Sequence, residues 1–210
     1  MGDHTHTWTM IHDERTRAAD MLESLSPLQW TADTLCKGWN VHLVAAHMMV
    51  ASEQSTGRFM NGLIASGFRF NVMTDRDVRV AAQASPSEII ARIRARTTTT
   101  NKPPAPAMAM LGEVVVHGTD IREPLGMVDT TSMDAKLACL DMFKGSNFPV
   151  AAKKTIAGLR LRATDASWSY GEGPEVAGPA LALVMAMTTR PLFASLSGAG
   201  VDILRGRLNE

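Results

Sequence analysis

Residues 106–126, PAMAMLGEVVVHGTDIREPLG, hold Glu113 and His117 four positions apart, and the structure of this segment decides what the chain can become. Three consecutive valines favour a strand, because β-branched side chains suit the pleated sheet. On an α-helix an interval of four puts both side chains on one face and close together. On a strand the same interval also leaves them on one side, but much further apart. The context favours the helix. Met108, Leu111, Val114, Val115 and Ile121 fall near helical spacing, helix formers crowd the start, and Pro124 ends the run. A strand accounts only for the valines.

The rest of the chain is read around that helix. Residues 9–25, TMIHDERTRAADMLESL, space Met10, Ala18, Met21, Leu22 and Leu25 as a helix, closed by Ser26-Pro27. After Gly38-Trp39, Asn40 is a fitting N-cap for one long helix running to about residue 66. Further helical pieces are expected at 75–84 and 87–97, the latter with Pro86 near its first turn. TTTTNKPPAPA (97–107) is a Thr/Pro-rich connector that cannot continue a helix. Ser132 to Lys144 reads as a helix. Residues 158–180 alternate apolar and polar residues with glycines between, as strands and turns do, and YGEGPEVAG looks like a hairpin turn region. A short apolar helix follows at 180–187 and a last one after SGAG. The expected fold is mainly α, a helical bundle over 1–145 and a small α+β domain over 146–210.

Composition narrows the function. Twenty-one basic and 21 acidic residues cancel, so no nucleic acid and no anionic membrane is expected as partner. No run approaches the ~18–20 apolar residues of a membrane span, and the first residues lack the apolar core of a secretory signal. Two cysteines cannot build a disulfide framework or a cysteine-rich zinc site. A cytoplasmic protein is the expectation. No GxSxG elbow, phosphate loop or GxGxxG is present.

Metal binding is what the polar residues suggest. Glu113 and His117 offer two ligands from one helix. His47, in VAAHMMV, is a third candidate, since an imidazole among Ala46, Met48 and Met49 is costly without a partner. A three-ligand site leaves a position open for water or substrate. Asp120, three beyond His117, is placed to orient its imidazole. Spacing alone leaves another reading open: His47 as a hydrogen-bonded core histidine, and Glu113 with His117 as a surface pair. His4 and His6 form HTH at a terminus expected to fray. His12 and His42 are expected to be solvated, Cys36 to sit in a loop beside Lys37, and Cys139 to be core.

Two stretches carry a family resemblance. LCKGWNVHLVAAHMM is similar to the pattern C-x-G-W-T-V-x-D-V-V-A-H-L of the mycothiol-dependent maleylpyruvate isomerase family, part of the DinB-like superfamily. GEVVVHGTDIREPLG resembles that family's E-x-x-x-H-x-x-D-I-R-x-P-L-G. The tail from Gly158 to Gly200 resembles its C-terminal domain, with a TD-x-x-W-x-x-G-x-GP-x-V-x-GP pattern. The resemblance implies a DinB-like four-helix bundle holding a divalent metal, usually Zn2+, with His47, Glu113 and His117 as ligands. It implies mycothiol as thiol cofactor, a small electrophilic substrate, and a homodimer. The implied reaction is cis-trans isomerisation by reversible thiolate addition to a conjugated double bond. A mycothiol S-transferase, or a non-catalytic metal-stabilised binding module, remains an alternative. Asn40 and Leu43 depart from the pattern: Asn40 keeps the cap, while Leu43 loses the reciprocal bond of a capping box. The family's arginine in the C-terminal domain, which stabilises the enolate oxygen, is placed by no motif. Arg190 is the candidate.

Overall fold

The structure, a computed structural model, describes residues 2–148, 150–190 and 192–209, without the side chains of 2–4 and 209. The periodic apolar segments become helices in the expected order. They are α1 (Gly2–Glu23), α2 (Val41–Glu53), α3 (Thr56–Ala65), α4 (Phe70–Ala81), α5 (Pro86–Arg94) and α6 (Met108–Arg122). Then follow α7 (Met133–Phe143), α8 (Ala152–Thr155), strands β1 (Arg160–Ala163), β2 (Ser169–Tyr170) and β3 (Glu175–Gly178), α9 (Ala180–Met187) and α10 (Val201–Asn209). The protein is mainly α with a small sheet, as expected. No helix among the described residues is long and apolar enough to cross a membrane.

Two compact units divide the chain, Met1–Thr131 and Ser132–Glu210. The expected boundary after residue 145 therefore comes earlier. Helix α7 buries Ala135, Cys139, Leu140 and Phe143 and packs against α9, which places it in the second unit.

In the first unit, α2 packs against α4, α5 and α6, and α1 against α5 and α6. Asn40 caps α2 by accepting from the Leu43 amide at 3.0 Å, as the sequence implies. The single long helix expected over 40–66 is two. Gln54 turns extended (φ −66°, ψ 130°), and Ser55 starts α3 by accepting from the Arg58 amide. Ser85 and Glu88 form a complete capping box on α5. Helix α6 is the central element, buried along nearly its whole circumference from Met110 to Arg122. That explains its three valines: a helix buried nearly all round is a core helix, and β-branched residues there signal burial rather than strand.

In the second unit the sheet order is β2-β1-β3, with β1–β2 antiparallel and β1–β3 parallel. Leu161 faces Tyr170 on one side and Val176 on the other. The expected hairpin is thus absent. Gly171 and Gly173 do sit in a turn with positive φ, where a Cβ would come within 2.3 Å of the Leu159 and Gly158 carbonyl oxygens. That turn, however, joins the two strands that flank β1. Every residue of α9 is buried, and its first amide is capped from a distance by Asp165, whose carboxylate accepts at 2.8 Å.

Candidate metal centre

Helix α2 carries His47 on its buried side, and α6 packs across it with Glu113 and His117 one turn apart. The ligand atoms of all three lie within 4.8 Å of one another. His47 Nε2 is 3.8 Å from Glu113 Oε1, and the two imidazole rings meet edge to face with centroids 4.6 Å apart. All three side chains are mostly buried, between 13% and 19% exposed. The surface-pair reading of Glu113 and His117 therefore does not describe this site.

The surroundings prepare the cluster for a cation. Asp120, fully buried, sits with Oδ2 2.9 Å from His117 Nδ1. An Nδ1–H donated to that carboxylate leaves the Nε2 lone pair as a ligand. Trp39 packs its ring against His47, centroids 5.4 Å apart. Burial pushes the Glu113 carboxyl up to about 7, with His117 and Arg15 pulling the other way. Its Oε1 is buried and has no hydrogen-bond partner among the described residues. A buried carboxylate oxygen left without a donor, facing two imidazoles, is what a divalent cation would satisfy. Two nitrogens and one carboxylate oxygen suit zinc, nickel or iron.

Beside His47 opens a cavity of about 120 Å³. Val50 and Ala51 of α2, Phe59 of α3, Phe70 and Met73 of α4, Pro103 of the connector and Met110 of α6 supply its apolar wall; Gln54, Thr74 and Asp77 supply the polar part. A larger groove of about 700 Å³, bounded by Leu22, Trp30, His42 and Ile90, contains none of the three clustered residues. Of the two, the smaller space is the one that a residue of the cluster, His47, borders.

His47, Glu113, His117 and Asp120 thus come together from the sequence reading. Arg190 lies in the second unit, where its guanidinium donates to the Thr188 carbonyl at 2.8 Å and its amide to Met185, closing α9. His42 and His12 are not the solvated residues expected. His42 Nε2 lies 3.0 Å from the Ala82 carbonyl and packs on Trp30, while His12 is half-buried on Trp8. Cys139 is buried and Cys36 half-buried. His6 is an exposed residue of α1, and the side chain of His4 lies outside the described residues.

Sequence reading missed Arg15. It is buried on α1, donates to the carbonyls of Thr99 (2.9 Å) and Arg96 (3.4 Å), and acts electrostatically on Glu113. Its signal, a basic residue four after Ile11 on the apolar side of α1, was weak.

Residues 11–105 match the family model described as the mycothiol maleylpyruvate isomerase N-terminal domain. The match lies wholly within the helical unit. Over 93% of this chain and 92% of the other, the fold is similar to a crystal structure of the mycothiol-dependent maleylpyruvate isomerase, with TM-score 0.66 and 12% identity. A histidine-to-alanine mutant of the mycothiol-dependent maleylpyruvate isomerase matches with TM-score 0.64, 14% identity and the same coverage. No curated protein matches by sequence. The GW-to-AH stretch lies within the matched residues and is the turn and helix that deliver Trp39 and His47. The ExxxH helix crosses α2 to complete the cluster.

Proposed function

We propose that the protein is a metal-dependent, thiol-using enzyme of the maleylpyruvate isomerase type, with His47, Glu113 and His117 as the metal ligands. The observation that carries this reading is the convergence of three ligand atoms within 4.8 Å beside a cavity lined largely by apolar groups. When bound, a divalent cation supplies a positive charge that holds a thiol as thiolate, the form that adds reversibly to conjugated double bonds.

The chain's own residues do the preparation. His47 and His117 supply the two ring nitrogens, and Asp120 holds the ring of His117 through Nδ1. Glu113 must surrender its proton to bind a cation, and its raised carboxyl makes that proton available near neutral pH. Phe59, Phe70 and Met73 give the cavity that His47 borders an apolar wall. The family likeness supports mycothiol as the thiol, and the donor set suits zinc as it does nickel or iron.

The test begins with metal content of the protein purified without a histidine tag, beside His47→Ala and Glu113→Ala. Near-stoichiometric metal in the parent and loss in both variants is expected. Thiol-dependent isomerisation of maleylpyruvate and thiol transfer to electrophiles are then assayed with and without chelator. An activity that survives chelation refutes the reading.

A further inference from the structure

We propose that the cavity beside His47 selects an uncharged electrophile with a compact apolar group, and rejects a dicarboxylate; this rests on the thiol-enzyme reading above. The reasoning starts from charge. Among the described residues that line the cavity there is no lysine or arginine, and the single charged group is the Asp77 carboxylate. Arg76, adjacent in sequence, is committed to Asp77 through Nε (2.9 Å) and Nη2 (2.7 Å) and borders a different groove. A carboxylate buried in this space would lose its hydration and find no uncommitted cation in the described wall, where the Asp77 charge is already paired with Arg76.

Size and wall chemistry point the same way. Phe59 and Phe70 stand with ring centroids 6.2 Å apart, and Met73 is almost fully buried beside them. Aromatic rings and a thioether adapt to a flat apolar guest. An apolar cavity of about 150 Å³ admits a benzene ring, and the space that His47 borders here is about 120 Å³. A group of phenyl size, or a branched alkyl of similar bulk, fills it. The polar end of the substrate then lies toward His47, Glu113 and His117.

For an α,β-unsaturated ketone with such a group, the step balances with the thiol alone. The sulfur forms a bond to the β-carbon, the π pair of the double bond moves to the enolate, and the proton given up by the thiol returns to the α-carbon. Nothing leaves, and nothing is oxidised or reduced.

The test separates the cavity from the chemistry. Benzylacetone, which cannot react, is titrated by calorimetry into the metal-loaded protein and its Ala51→Leu and Ala51→Phe variants, with maleate as competitor. Circular dichroism and metal content check that the variants are intact. The expected result is binding in the parent, a loss of about tenfold or more in the variants, and no competition by maleate. Binding unchanged in both intact variants, no binding at all, or displacement by maleate would overturn the proposal. In parallel, benzylideneacetone is given with mycothiol and compared with maleylpyruvate. Metal-dependent addition to benzylideneacetone, faster than turnover of maleylpyruvate and lost in the Ala51 variants, supports the proposal. Benzylacetone binding without any metal-dependent thiol reaction overturns the thiol-enzyme reading and leaves the cavity's selectivity standing.

Discussion

Replacing Glu113 by glutamine should change stability in opposite directions with and without metal. Burial raises the Glu113 carboxyl from 4.5 to about 7. A carboxyl raised in the folded state contributes stability that is full below its unfolded pKa and lost as pH climbs through the folded value. The shift corresponds to about 3 kcal/mol between about pH 4.5 and above pH 7. Glutamine does not titrate. In chelator, therefore, Glu113→Gln should gain on the parent by up to about 3 kcal/mol as pH goes from about 4.5 to about 8. Metal reverses the comparison. A cation held at about a hundred times its dissociation constant stabilises the parent by about 2.7 kcal/mol, and the variant, lacking the carboxylate, by much less. Urea titrations followed by far-UV circular dichroism, with chelator and with zinc at both pH values, measure the whole square. A difference between parent and variant that ignores pH in chelator would refute the argument. It would mean that the buried carboxyl of the folded protein is not the group that titrates.

Other predictions follow from individual contacts. Asp120→Asn should keep the fold yet weaken metal binding by about 10- to 100-fold, measured by competition with a chromophoric chelator, because His117 loses the carboxylate that fixes its ring. Arg15→Met should destabilise the helical unit by about 2 kcal/mol, since the carbonyls of Thr99 and Arg96 lose a charged donor. The same change should speed hydrogen exchange in 96–105, the connector that carries Pro103 into the cavity wall. Asp165→Ala should cost about 1 kcal/mol through the uncapped start of α9 and leave metal content unchanged.

How much of this was legible beforehand differs from element to element. The ExxxH helix could be read because its periodicity, its helix formers and Pro124 agreed, and because an interval of four means adjacency only on a helix. Asn40 and Pro86 announced helix starts through chemistry that acts within a few residues. The break at Gln54-Ser55 escaped because both halves share one helical rhythm, and a single extended residue leaves almost no mark on it. The hairpin expectation failed for a related reason. Gly171 and Gly173 do make a turn, but a turn residue does not say which strands will pair, and β1 came between them.

By itself, the sequence determined the local elements and the identity of the donor atoms, since capping, periodicity and ligand chemistry are properties of short stretches. Only the tertiary structure decided that His47 meets Glu113 and His117 from another helix, that Arg15 reaches the connector, and that Phe59, Phe70 and Pro103 wall one cavity. Those meetings depend on how helices cross and what they bury. The same burial raises the Glu113 carboxyl, and no pattern along the chain records it.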